Sequence, residues 1–174
     1  MYNVVGAMFA EESEARQAMG ALIENPTFNG TTILQMSLVK RKNGELKLCD
    51  NFASDTLESG GTVKGGLLGG LIGLLGGPLG ALLGGAAGTL LGGAADSSNK
   101  DKSKSLIEQT AQRLEEGDLA LIMVVNEDEE AVLDRQLLKY NVYIARFDAD
   151  AIAKEVEAAE KRERELEEAR EENA

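Results

Sequence analysis

The apolar positions before residue 55 switch between the two-residue period of strands and the longer period of a helix. Acidic residues open the helical stretch and Asn25-Pro26 ends it, while Asn43-Gly44 is a strong hairpin signal. Leu34, Met36 and Leu38 are predicted on one face of a strand. The pattern predicts a strand over 2–10, a helix over 11–24, a strand over 31–42 and a short returning arm over 45–49.

A second alternation of helical and strand patterns occupies the last seventy residues. It predicts a helix over 104–116, a strand over 118–125, a helix over 127–139 with an acidic first turn, a strand over 141–147 and a charged helix over 148–173. The last helix carries a weak apolar seam at Ile152, Val156, Ala159 and Leu166. We expect it to be a solvated arm, with coiled-coil pairing as the alternative.

The order of these elements is β-α-β, insertion, β-α-β, tail helix. This order predicts a ferredoxin-like α+β sandwich made of two split βαβ units around one antiparallel sheet. Four segments follow from it: residues 1–58 as the first half of the α+β domain, 59–96 as an inserted helical hairpin, 97–147 as the second half and 148–174 as the charged C-terminal helix.

The insertion contains an uncharged tract, Gly65 to Ala95, made almost entirely of Gly, Leu and Ala. Its glycines recur every four residues in two rows, at Gly61, Gly65, Gly69, Gly73 and Gly77, and at Gly76, Gly80, Gly84, Gly88 and Gly92. A four-residue step aligns positions on one side of an α-helix, so each row predicts a groove through which helix backbones approach closely. A flexible linker is the alternative, but such linkers are rich in Ser, which this tract lacks.

Gly77-Pro78 divides the tract into two predicted helices of about 15 residues, each roughly 22 Å long. A bilayer core is about 30 Å thick, so each arm is short for a complete crossing. If both βαβ halves share a sheet, the two ends of the tract must lie on one side of any membrane. Basic residues at both ends fit two cytoplasmic ends: Lys64 before the tract, and Lys100, Lys102 and Lys104 after it.

Charge and composition exclude several classes of function. The net charge is −12, of which residues 96–174 contribute −10, so nucleic acid is not an expected partner. The single cysteine, Cys49, permits no intramolecular disulfide, and the N-terminus lacks the basic region of a signal peptide. These features favour a cytoplasmic setting for the folded part.

Residues suited to catalysis or to cofactor binding are scarce. The absence of histidine removes Ser-His and Cys-His nucleophiles and most zinc and haem sites. The glycine spacing matches neither a dinucleotide fingerprint nor a P-loop. The run from Glu127 to Glu130 lacks the ligand pattern of a calcium loop and is interpreted as a helix start. Lys40-Arg41-Lys42 is interpreted as a solvated hairpin end, with contact to anionic lipid as the alternative. We therefore expect no enzyme activity, no metal, no cofactor and no small-molecule substrate.

Four stretches, in this order, resemble a bacterial family of uncharacterised proteins commonly titled predicted membrane proteins: VVGAMFAEESEARQAM, SLVKRKNGELKL, the insertion from TVKGG, and LEEGDLALIMVVNED. The resemblance covers about residues 2–147. It implies a ferredoxin-like domain, a glycine-zipper segment and membrane association, and no catalytic residues. The long charged tail and the regular glycine step depart from the family pattern.

Two hypotheses of function follow. In the first, the protein is a non-enzymatic homo-oligomer at the cytoplasmic face of the inner membrane, and its glycine hairpin inserts into lipid and packs subunits together. In the second, it is a soluble cytoplasmic scaffold, such as a cage, filament or shell, in which hairpins bury one another. A small channel has less support because Thr89 is the tract's only polar side chain. An enzyme or ligand-binding domain would rest on analogy of fold alone.

Overall fold

The computed structural model describes residues 1–43, 45–54, 69 and 113–172. These residues form a mixed α+β structure with a six-stranded antiparallel sheet. Its strands are β1 (Tyr2–Phe9), β2 (Thr27–Phe28), β3 (Thr31–Lys42), β4 (Glu45–Ala53), β5 (Leu119–Glu127) and β6 (Val142–Asp148). Its helices are α1 (Glu12–Glu24), α2 (Glu130–Leu137) and α3 (Ala149–Glu172).

The strands lie in the order β2-β3-β5-β1-β6, and β4 pairs with β3 beside β2. Every pairing is antiparallel. Strands consecutive in each β-α-β half are therefore not neighbours: β5 separates β1 from β3, and β1 separates β5 from β6. Each half supplies a strand to the middle of the other, so neither half has a complete sheet alone.

The central strands β1 and β5 are buried on both faces, which explains their unbroken apolar runs. On one face, Val5, Leu121 and Met123 pack under the apolar sides of α1 and α2. On the other face, Val4, Ile122 and Val124 pack under the first turns of α3. The protein therefore has helices on both sides of one sheet.

The C-terminal helix corrects one expectation. We predicted a solvated arm, but Ile152 and Val156 are 1% and 6% exposed and belong to the core cluster on the second sheet face. Ala159 also packs against this cluster. The apolar seam packs against the sheet because alternate residues of β5 on that face, such as Ala120 and Ile122, are themselves apolar and are buried by this contact.

The predicted face of β3 was also wrong for one residue. Met36 and Leu38 pack under α1 and α2, whereas Leu34 packs on the opposite face. The cause is an irregularity in the pairing with β5, where Ile33 is opposite Val125 and Gln35 is opposite the next residue, Val124. Such a β-bulge adds one residue and shifts the alternation on either side of it.

The remaining boundaries differ from the predictions by a few residues, with two exceptions. The short returning arm extends to Ala53 as β4, and the two-residue strand β2 was not predicted. Asn29 and Gly30, both at positive φ, connect β2 to β3 as a tight turn. Most of the helix predicted over 104–116 and the whole proposed hairpin turn at Gly77-Pro78 lie outside the described residues.

Candidate functional site

Most of the residues that the sequence singled out lie outside the described residues. This applies to every glycine of the two rows except Gly69, to Pro78, and to Lys64, Lys100, Lys102 and Lys104. Gly69 is helical and exposed, and a Cβ built on it meets no heavy atom within 4 Å.

The described residues before and after the insertion, Ser54 on one side and Leu114 and Gly117 on the other, are hydrogen-bonded near opposite ends of β3. Where the chain leaves, the Ser54 amide donates to the Leu34 carbonyl at 2.9 Å. Where it returns, the Gly117 amide donates to the Arg41 carbonyl at 2.9 Å, and the Arg41 guanidinium donates to the Leu114 carbonyl at 2.9 Å. Leu34 and Arg41 are seven positions apart along the strand, which is about 23 Å at 3.3 Å per residue.

A buried ionic cluster, made of Glu127, Arg146 and Asp134, is the main polar constellation among the described residues. Glu127 is the last residue of β5 and Arg146 lies in β6, on the sheet face covered by α2. Arg146 Nε donates to Glu127 Oε1 at 2.7 Å, and its Nη2 donates to Asp134 Oδ1 at 2.7 Å. The side-chain amide of Asn3, on the intervening strand β1, donates through Nδ2 to Glu127 Oε1 at 2.8 Å. The cluster thus joins β1, β5, β6 and α2.

Burial makes this cluster consequential for stability. The Glu127 side chain is 1% exposed and the Arg146 side chain 12%. Burial alone would lower the pKa of the Arg146 guanidinium, but its hydrogen bonds to Asp134 and Glu127 together raise that pKa above its ordinary value. Arg146 therefore remains charged at any physiological pH, and both of its close partners have geometry suited to a charge-assisted hydrogen bond.

An exposed ion-pair cluster lies at the opposite end of the sheet. Glu12, in the first turn of α1, accepts hydrogen bonds from Lys40 Nζ at 3.0 Å and Arg16 Nε at 2.9 Å. The bond to Lys40, followed by the bond to Arg16, lowers the pKa of the Glu12 carboxyl. Lys40, which we interpreted as part of a solvated hairpin end, is thus held to the start of α1.

An open groove of about 340 Å³ lies between α1 and α2. Its apolar lining includes Ala18, Leu22, Phe28 and Leu137, and Lys139 is its one charged residue. Lys139 Nζ donates to Gln136 Oε1 at 2.6 Å. The lining has no carboxylate, cysteine or serine. Among the described residues, no group of three acidic or cysteine side chains is arranged to hold a metal ion.

The ionic cluster was missed because Glu127 was assigned to the acidic start of a helix. It instead continues the alternate positions of β5 that point toward α2, after Leu119, Leu121, Met123 and Val125. An acidic residue in that series is directed inward and requires a partner. Arg146 occupies the equivalent inward position of β6, two residues after Ile144. The alternation of the two strands therefore could have predicted that both charged side chains point inward.

One comparison with known proteins identifies a family. A family model described as "Protein of unknown function (DUF1269)" matches residues 62–169, which is more than half of the chain. The protein belongs to the DUF1269 family. The DUF1269 match covers the glycine tract, β5, α2, β6 and most of α3, including all three members of the ionic cluster, and it begins after β4. No curated protein and no solved structure matches the chain.

Proposed function

We propose that the protein is a non-enzymatic homo-oligomer whose glycine tract packs subunits together and inserts into a membrane. The observation that carries the proposal is the four-residue step of glycine through an uncharged segment, Gly65 to Ala95. Glycine costs about 1 kcal/mol relative to alanine in a helix interior, so a helical tract of this composition needs compensation from tight packing or from lipid. The residues that the DUF1269 model matches, 62–169, span the whole tract.

The contacts of the described residues before and after the insertion support an insertion that leaves the sheet intact. Ser54, before the insertion, and Gly117, well after it, are both hydrogen-bonded to one strand, β3, and the sheet on either side of that strand is continuous. The strand order, in which β5 lies between β1 and β3 and β1 between β5 and β6, supports a ferredoxin-like split βαβ topology. On this proposal a helical hairpin projects from the sheet, and the α+β domain faces the cytoplasm.

The length of each arm favours a second candidate, a soluble cytoplasmic assembly. Two helical arms of the predicted length, roughly 22 Å, would fall short of a hydrocarbon core of about 30 Å. Among the described residues, which include only Gly69 of the tract, no helix has both the length and the apolar character needed to cross a bilayer. In this candidate, glycine hairpins from several subunits bury one another in a cage, filament or shell.

The deciding experiment measures the mass and the lipid content of the native particle. Full-length protein is purified in a lipid-preserving polymer and, separately, without detergent. A lipid-bearing oligomer supports membrane insertion, and a large lipid-free particle selects the soluble assembly. A monomer found only in the soluble fraction would refute both.

The glycine rows are tested by changing Gly69, Gly73, Gly84 and Gly88 to Leu together. We expect the oligomer to dissociate or disorder while the far-ultraviolet circular dichroism of the α+β domain persists. The matched control is Gly20→Leu, because Gly20 is an exposed glycine inside α1 and a Cβ there meets nothing within 4 Å. An oligomer unaffected by the fourfold change would show that the glycine rows do not form the contact.

A further inference from the structure

A two-residue loop, Asn29-Gly30, connects β2 to β3. The pair Phe28–Thr31 closes the loop, and both loop residues have positive φ, +44° at Asn29 and +79° at Gly30. A two-residue hairpin loop needs such left-handed conformations, and Asn-Gly is a pair that adopts them readily. Asn29 is also exposed, so water and base reach it. The pair that suits this turn is also a chemically reactive one.

An asparagine followed by glycine reacts with its own backbone. The main-chain nitrogen of Gly30 gives its proton to a solvent base and attacks Cγ of Asn29. A C–N bond forms, the side-chain amide leaves as ammonia, and a cyclic imide results. Water then opens the imide at either of its carbonyls, which leaves aspartate or isoaspartate at position 29. Glycine favours the attack because it has no Cβ to shield the nitrogen.

The strand on one side of this loop is weakly attached. β2 has two residues, and β3 is its only partner among the described strands. Two further hydrogen bonds hold the turn: the Ile33 amide donates to the Pro26 carbonyl at 2.7 Å, and the Asp128 amide donates to the Gly30 carbonyl at 3.1 Å. Short edge segments open locally at a small cost in free energy, while the rest of the sheet stays folded. Each opening lets the Gly30 nitrogen approach Cγ of Asn29, as the ring closure requires.

We propose that Asn29 deamidates spontaneously in the folded protein and that the product releases β2 from β3. Isoaspartate adds one methylene to the main chain, and a two-residue loop cannot absorb it while both pairs of β2 stay in register. Either product also adds a negative charge close to Asp128, whose Oδ2 lies 2.6 Å from a Cβ built on Gly30. Like charges at short range repel each other. The inference goes beyond the function proposed above and does not depend on the glycine tract.

Release of β2 would change the groove between α1 and α2. Phe28 lines that groove and packs against the core cluster that includes Leu22 and Leu137. When β2 detaches, the Phe28 ring leaves this cluster and the groove loses one wall. The modification therefore alters a surface of the protein as well as the turn.

Site-resolved mass spectrometry on the full-length chain tests the reactivity of Asn29. The protein is kept folded in mildly alkaline buffer, and its peptides are followed over time for conversion of amide to acid. Two other exposed asparagines are internal controls: Asn25 precedes Pro26, whose nitrogen has no proton to lose, and Asn141 precedes the β-branched Val142. We expect Asn29 to convert at least about 10-fold faster than either control, because only its ring closure has an unhindered nitrogen to use.

The rate at Asn29 should also rise with pH, because the attacking nitrogen must lose its proton. Equal rates at the three asparagines would overturn the assignment, and so would conversion of Asn29 that occurs only in urea. Conversion at Asn43, which also precedes a glycine, is quantified separately. Asn29→Gly is the blocking variant, because it has no side-chain amide and glycine accepts a φ of +44°.

Hydrogen exchange measures the release of β2. The deamidated form is separated by anion exchange, and its Ile33 amide, which donates to Pro26 in the intact turn, is compared with that of fresh protein. We expect exchange at Ile33 to accelerate about 10-fold or more, because detachment of β2 removes the acceptor. Aged Asn29→Gly should show no change. Unchanged exchange at Ile33 in the deamidated form would overturn the release of β2.

The charge effect is tested by a separate pair of variants. Asn29→Asp reproduces the aspartate product without the extra methylene, and it should lower the midpoint of urea unfolding. The loss should shrink in an Asp128→Ala background, where the neighbouring carboxylate is absent. A loss of the same size in both backgrounds would overturn the proposed repulsion.

Discussion

Replacing Arg146 by methionine should be the most destabilising single change in the ionic cluster. Methionine approximates the length of the arginine stem but leaves Glu127, 1% exposed, as a buried charge without its cationic partner. Removing one partner of a buried ion pair costs about 3–5 kcal/mol, so we expect a loss of that size in the free energy of unfolding.

Removing the carboxylate of Glu127 should cost less stability than removing Arg146, because Arg146 still has Asp134 as a partner. In Glu127→Gln, Arg146 keeps its 2.7 Å contact with Asp134, and the glutamine oxygen still accepts from Asn3. Arg146 Nε donates to the same oxygen as Asn3, so the glutamine oxygen can still accept from both, and the loss is the charge on the contact with Arg146, or about 1–2 kcal/mol. The double variant should be more stable than Arg146→Met alone, since it no longer buries an unpaired carboxylate.

Urea unfolding at pH 7, followed by far-ultraviolet circular dichroism, measures all four proteins of this double-mutant cycle. The denaturant slope must remain constant if the midpoints are to report stability alone. The reasoning fails if Arg146→Met lies within about 1 kcal/mol of the parent, or if the two single losses simply add in the double variant. Either result would mean that Glu127 finds water or another partner when Arg146 is absent.

Three further predictions concern the backbone, the helix α3 and pH. Gly30→Ala should destabilise by about 1–3 kcal/mol because its φ is +79° and a Cβ there lies 2.6 Å from a side-chain oxygen, whereas Gly20→Ala, in an open helical position, should stabilise by about 0.5–1 kcal/mol in thermal unfolding. Ile152→Ala should cost about 2–5 kcal/mol in urea if α3 is part of the core, against little for the exposed control Glu157→Ala. The lowered pKa of Glu12 means that its small contribution is fully present above the unfolded pKa and is lost as pH falls through the folded value, so the stability difference between parent and Glu12→Gln should shrink as pH falls below the unfolded pKa of about 4.3. A stability difference between those two that stays constant as the pH is lowered from neutral into the acidic range would contradict this.

The sequence predicted the elements of this fold better than their environment. The period of apolar positions located β1, α1, β3, β5, α2, β6 and α3, because burial on one or two faces leaves a direct trace in the pattern. The period placed Leu34 on the wrong face of β3 because the bulge there depends on pairing with β5, which follows much later in the chain. The prediction that α3 is a solvated arm was wrong because a weak apolar seam does not show which surface the helix packs against.

The ionic cluster illustrates a different limit. Both Glu127 and Arg146 stand at inward positions of their strands, so their burial was deducible from alternation once the strand ends were known. Their contact was not, because β1 lies between β5 and β6 and only the strand order brings the two side chains across it. Long charged side chains span a neighbouring strand in a way that the period of a sequence does not encode.

The interleaved strand order has a consequence for any cut between Ser54 and Arg113. The N-terminal fragment would hold β1 and β3, and the C-terminal fragment would hold β5 and β6, so strands of the two fragments alternate across the sheet. Dissociation would require the ladders β3–β5, β5–β1 and β1–β6 to open together. The cleaved protein should therefore persist as a non-covalent complex, and separately expressed fragments should reconstitute the domain only when both are present.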